Sequence, residues 1–219
     1  MTKEEKLYLK CRKAGEPLHS QMIDLLSEED LTAVGKHLGM YHGDTFIFDS
    51  EEETHFFMEY AIYDYLGRGQ RIIEIFTEQI IAEDLTDVQK MLLEGALKAW
   101  FSLFEICDVQ SQDKRLILRD LIYQKENITL IDVNLSSTAV PGLLVAARLI
   151  PIQTWYMTTG AGFPFPPELK QILLRGLRIP IRKGKKKKYK TLPPNRYSSY
   201  FFRQYKQLSD IEFMSQDVT

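Results

Sequence analysis

Thirteen basic residues and no acidic one lie between Leu169 and Ser209. At the centre of this window runs Arg182-Lys-Gly-Lys-Lys-Lys-Lys-Tyr-Lys190. Cations at this density suit one kind of chemistry, the attraction of phosphates or other anions, driven by release of condensed counterions. Tyr189, Tyr197, Tyr200, Phe201, Phe202 and Tyr205 are interleaved with them, and aromatic rings can stack on unpaired bases. The expected contact residues are Arg178, Arg182, Lys183, Lys185, Lys186, Lys187, Lys188, Lys190, Arg196 and Arg203. The expected partner is nucleic acid or another polyanion, held with little sequence preference.

Other candidate groups are weaker. Glu52-Glu-Thr-His55 has the Glu-x-x-His spacing of carboxylate-bridged metal sites, and His37, His42 and Asp44 are near in sequence. Such sites need a second motif of the same kind on a facing helix, and the chain has none. The four residues are read as an acidic first helical turn. Thr159-Gly-Ala-Gly162 lacks the lysine and hydroxyl ending of a phosphate loop and reads as a strand-ending turn. No Gly-x-Ser-x-Gly occurs. Cys107 reads as a small core residue of a strand, and Asp64 and Asp120 as turn acids. Catalytic residues, metal ligands and a cofactor are therefore not expected.

The whole chain has 28 basic and 30 acidic residues in 219, so the part outside the window carries 15 basic against 30 acidic. A near-neutral total hides an acidic body and a basic tail. The 44% hydrophobic and 26% charged content is that of a globular protein, and no run approaches the roughly 20 apolar residues of a membrane span. Met1-Thr-Lys-Glu-Glu opens with mixed charge and no apolar stretch follows, so a secretion signal is not expected. Cys11 and Cys107 are the only cysteines, read as free thiols of a reducing, cytoplasmic compartment.

The elements that would position these groups follow from periodicity and caps. Residues 1–100 read as a helical domain. A first helix stops at Gly15-Glu-Pro17 and a short one follows from Ser20 to Leu26. Ser27, Ser50 and Thr86 cap further helices, with acids in the first turns. The second of these is unusually aromatic: Phe56, Tyr60 and Tyr63 share one face, with Phe57 and Ala61 beside it. Thr45–Phe48 is expected to pack on the core as an extended stretch. Residues 101–165 read as a small β domain of five strands, around Phe101–Val109, Arg115–Leu121, Asn127–Val133, Leu143–Ile150 and Thr154–Thr158. Residues 166–219 read as a helix opened by Pro167, then the basic aromatic tail with a short helix at 198–208. The fold class is thus α+β: a helical N-terminal half, a five-stranded antiparallel barrel or meander, and a basic tail.

A barrel of the OB or SH3-like kind can itself bind nucleic acid. Lys114, Arg115, Arg119, Trp155 and Tyr156 would be its contact residues, against the plainer reading of Trp155 and Tyr156 as half-buried barrel walls.

Residues 31–165 resemble an uncharacterised domain of bacterial proteins that often carry a SEC-C zinc motif. The likeness rests on Glu51-Glu-Glu53, Phe56-Phe57, Tyr63-Asp64, Gly69 and Ile73, Leu92-Leu93, Leu118-Arg-Asp-Leu121, Ser136-Ser137, Pro141-Gly142 and Ala147-Arg148. The chain departs from it in lacking the SEC-C zinc ligands, since no C-terminal cysteine is present. The resemblance implies a two-part architecture and a bacterial cytosolic setting, with no metal and no known activity. The leading functional expectation is a non-enzymatic polyanion-binding protein. The rival is a protein–protein module in which helix 56–65 or helix 198–208 docks a partner.

Overall fold

A computed structural model describes residues 1–67, 69–181 and 188–216. Its N-terminal helices begin at side-chain caps that satisfy otherwise orphaned backbone donors. Thr2 opens α1 (Lys3–Ile23), Ser27 opens α2 (Glu28–Leu38), and Gly39, with φ of 78°, closes α2 in the left-handed region. A two-stranded ribbon, β1 (Tyr41–His42) and β2 (Thr45–Phe46), then leads to α3 (Glu51–Tyr63), capped by Ser50. α4 (Ile72–Gln79) and α5 (Asp87–Leu97) follow.

The helix α1 runs unbroken through Gly15 and Pro17, where the sequence reading ends it. Pro17 costs a helical hydrogen bond, but Tyr8, Cys11, Leu18 and Met22 are all buried along the one helix. Gly15 lets α1 close on α5: a Cβ there would lie 3.2 Å from Leu92 Cδ2. Packing on both sides of the proline outweighs its local penalty.

Five strands then close a barrel: β3 (Trp100–Gln110), β4 (Arg115–Asp120), β5 (Ile128–Ile131), β6 (Leu144–Ile152) and β7 (Trp155–Phe165). The order around the ring is β3-β4-β5-β7-β6. The expectation of a purely antiparallel barrel is corrected here, because β5 and β7 pair in parallel. A closed ring with an odd number of strands cannot alternate direction throughout, so at least one neighbouring pair must be parallel. A short helix, α6 (Leu135–Thr138), lies between the third and fourth barrel strands. This strand order, with its parallel closure and intervening helix, is that of an OB-type Greek-key barrel. Topology of this kind carries no function by itself.

The C-terminal part adds α7 (Lys170–Gly176), a ribbon of β8 (Arg178–Ile181) and β9 (Lys188–Thr191), and α8 (Tyr197–Gln216). The sequence reading holds no such ribbon, because its second strand lies in the basic run. The helix α8 is longer than the expected 198–208.

Three apolar clusters hold these parts together. Phe104, Ile106, Leu116, Leu118, Leu130 and Leu149 fill the barrel interior. Outside it, α2, α3, α7 and α8 bury Val34, Phe56, Phe57, Leu173, Phe201 and Phe202 against Leu103, Phe163 and Phe165. The rings of Phe56 and Phe202 stack at 4.7 Å, and Phe56 meets Phe163 edge-on at 4.9 Å. Elsewhere on the barrel, α1, α4 and α5 bury Cys11, Ile73, Leu93 and Ala96 against Ile150, Ile152 and Met157.

Candidate functional site

β8 and β9 pair antiparallel, with Arg178 opposite Thr191 and Ile181 opposite Lys188. The ends of the basic run are thereby brought together. Arg182, Lys183, Lys185, Lys186 and Lys187 lie outside the described residues. Lys188 is placed by its backbone in β9. Arg178, Lys190 and Arg196 are exposed, as is Arg175 beside them, and none forms an ion pair with a carboxylate among the described residues. Arg203 differs: it is exposed, but its Nη2 donates to the carbonyl of His37 at 3.0 Å, at the end of α2.

Other cations, of the body and of the basic window itself, are paired. Arg71 pairs with Glu74 at 2.7 Å and Arg119 with Glu126 at 2.9 Å. Lys170 pairs with Glu105 at 2.9 Å, and Lys206 with Asp49 at 2.8 Å and Glu53 at 2.9 Å.

The aromatic side chains expected to stack on bases mostly serve the core. Tyr197, Phe201 and Phe202 are buried. The Tyr200 hydroxyl donates to the Leu173 carbonyl at 3.0 Å, and Tyr205 packs 5.2 Å from Phe163. Their spacing is that of a helical face, which α8 turns to the barrel. Tyr189 on β9 is the exception among the six, at 56% exposed.

The barrel-wall candidates are also committed. Trp155 is buried, and Tyr156 is half-buried against Trp100 at 5.3 Å. Arg115 pairs with Glu4 of α1 at 3.3 Å, while Lys114 is half-buried in a turn with φ of 55°. Glu52 and His55 are exposed, and His55 pairs loosely with Glu51 at 3.8 Å. Cys107 is exposed, not a core residue. It shares the outer face of β3 with Phe101 and Leu103, but the strand has by then run beyond the helices that cover those two, and a register shift begins beside it.

A second feature joins residues that the sequence does not bring together. Arg148 of β6 is buried between the barrel and α3. Its Nε donates to Glu59 Oε1 at 3.1 Å, and its Nη2 donates to Asp64 Oδ2. Ser198 at the start of α8 donates to the same Asp64 oxygen, and Thr159 of β7 donates to Glu59 Oε2. The guanidinium also lies 4.9 Å over the Tyr63 ring. Burial pushes the Glu59 carboxyl up to about 7, with the nearby Arg148 charge opposing it. Asp64 is raised for the same reason, against the pull of Arg148 and Ser198.

The local cause is a bulge. Ala147 pairs with Gly162 and Leu149 with Thr158, so Thr159, Gly160 and Ala161 of β7 stand opposite Arg148 alone. Thr159-Gly-Ala-Gly162 is therefore an interruption within a strand and not its end, with Gly160 at φ of 123°.

The bulge forms one wall of a cleft of about 500 Å³, whose other walls come from α1, α3 and α5. Most of its lining is apolar, from Leu18, Met22, Leu92, Leu93, Ile150 and Met157. Glu59, Thr159, His19, His55 and Arg12 supply polar groups. Burial, and then the neighbouring His55, lowers the pKa of His19, which keeps it neutral. Burial raises the Cys11 thiol to about 11, so it is no nucleophile at neutral pH. Arg12 is engaged, with Nη2 2.9 Å from Thr158 Oγ1 and 3.3 Å from Asp132 Oδ2.

Fold and sites together define an OB-type barrel wrapped in helices, with a basic ribbon and a separate mostly apolar cleft. The model of a family of unknown function, DUF7986, matches residues 2–214, and the chain belongs to that family. No curated protein and no solved structure matches it.

Proposed function

We propose that this protein is a non-enzymatic binding protein that engages nucleic acid or another polyanion through the basic segment around β8 and β9. One observation carries the reading. Arg175, Arg178, Lys190 and Arg196, which flank the lysine run, are exposed and have no carboxylate partner among the described residues. Lys170 and Lys206 of the same window pair with Glu105, Asp49 and Glu53 of the body, and these four cations do not among the described residues. Such cations around a lysine run favour an external anion, with affinity from counterion release. Exposed Tyr189 supplies one stacking surface, so base stacking adds less than the six aromatic residues of the sequence suggest. Two free cysteines, one of them buried, are in keeping with a reducing, cytoplasmic setting.

The test is fluorescence anisotropy with mixed-sequence single- and double-stranded oligonucleotides at low salt. Wild type is compared with a variant carrying Lys185, Lys186, Lys187 and Lys188 each replaced by alanine. Substitution is the proper comparison, because truncation after Leu177 would strip Phe201 and Phe202 from the core. The reading requires micromolar binding by wild type and a loss of at least tenfold in the variant. Equal binding by both would remove the site assignment. Absence of binding, with a nuclease-resistant protein partner recovered instead, would favour the protein–protein reading.

A further inference from the structure

We propose that the cleft between α1 and the β7 bulge binds a small molecule with an apolar, ring-sized body and a protonated amine head, the head lying against Glu59. The proposal is independent of the basic ribbon. At about 500 Å³ the cleft falls within the size range of small-molecule pockets, and it has their usual make-up of apolar walls with a few converging polar groups.

The sign of the head follows from counting charges. Two carboxylates, Glu59 and Asp64, share one guanidinium, Arg148, and all three side chains are at most 5% exposed. With both acids ionised the group carries one uncompensated negative charge in a dry setting, which is costly unless a proton or a cation neutralises it. Thr159 and Ser198 donate hydrogen bonds but bring no charge. Glu59, which lines the cleft, accepts one bond on each oxygen, and a carboxylate has further lone pairs to offer.

The other walls do not supply the missing cation. From α1, Arg12 is turned to Asp132 and Thr158, His19 is neutral, the Cys11 thiol is protonated, and Glu16 adds negative charge. From α3 come the exposed His55, which leans on Glu51, and the neutral Tyr63. α5 contributes Leu92, Leu93 and Ala96, and β6 Ile150. An amine entering the cleft completes the neutralisation, and an anion worsens the imbalance.

Tryptamine, tryptophol and indole-3-acetate share one aromatic body and differ in the charge of the head. Calorimetric titration of the full chain at pH 8 should show tryptamine binding at least tenfold more tightly than tryptophol, with indole-3-acetate weakest. At pH 6 the preference for tryptamine should shrink, and binding should release protons, read as a dependence of the heat on buffer ionisation enthalpy. Glu59→Gln should erase the preference for tryptamine over tryptophol. The comparison of heads on the native chain stands whether or not that variant folds. Equal binding of all three, tighter binding of indole-3-acetate, a preference that survives Glu59→Gln, or no binding at millimolar concentration would each overturn the proposal.

Discussion

Arg148 and Glu59 lie 89 residues apart in the chain, yet Nε of one donates to Oε1 of the other at 3.1 Å with both side chains buried. This contact, with its extension to Asp64 and Ser198, ties α3, the barrel and α8 into one body. Removing a single partner from a buried ion pair leaves charge without compensation, at a cost of about 3–5 kcal/mol. Arg148→Met should therefore destabilise the protein by that order in urea unfolding. Adding Glu59→Gln and Asp64→Asn to it should recover part of the loss, because the stranded carboxylates are then gone.

The same network sets a pH dependence. The Glu59 carboxyl is held at about 7 in the folded chain against an ordinary value of 4.5. Between these values the native state binds the extra proton, so its stabilising contribution is complete below about pH 4.5 and lost as pH rises through about 7. Asp64 acts in the same direction, while the lowered His19 and His37 act in the opposite one. The difference between wild type and Glu59→Gln isolates the term: over pH 5 to 8, wild type should lose stability relative to the variant. Parallel stability curves would show that Glu59 does not titrate there.

Gly95 gives a sign reversal. Alanine in place of a helical glycine ordinarily stabilises by about 1 kcal/mol. At Gly95 of α5 a Cβ would sit 2.4 Å from the Pro151 carbonyl oxygen and 2.9 Å from Ile150. Gly95→Ala should instead destabilise, by about 1–3 kcal/mol, as α5 is pushed off β6. Thermal unfolding reads the sign directly.

Phe202 tests whether the tail helix belongs to the core. It is fully buried, stacked on Phe56 and close to Phe163. Phe202→Ala should cost about 3–5 kcal/mol. A surface tail would show almost no change.

Much of this architecture is legible in the sequence, for local reasons. Ser27, Ser50 and Thr86 mark helix starts because capping is decided within four residues. The five barrel strands are found because their apolar residues recur between turn signals. Pro17 misleads because long-range packing overrides it. Thr159-Gly-Ala-Gly162 reads as a turn because a bulge is defined by its partner strand, and Arg148 is invisible as its counterpart until β6 and β7 are paired. In the sequence Tyr63-Asp64 and Ala147-Arg148 are short motifs of a resemblance and Asp64 reads as a turn acid, whereas in the fold they are facing halves of one buried network. Of the basic residues, the sequence could name them but could not separate Arg203, spent on α2, from Arg178 and Lys190, which have no carboxylate partner among the described residues.

The most direct test of polyanion binding by the basic segment is the salt dependence of oligonucleotide affinity. Each phosphate neutralised on a single strand contributes about −0.7 to the slope of log affinity against log salt. If Lys185 to Lys188 each meet a phosphate, their replacement by alanine should make the wild-type slope shallower by about 3, with unfolding temperature unchanged. An unchanged slope, or a wild type that binds no oligonucleotide at low salt, would contradict the account.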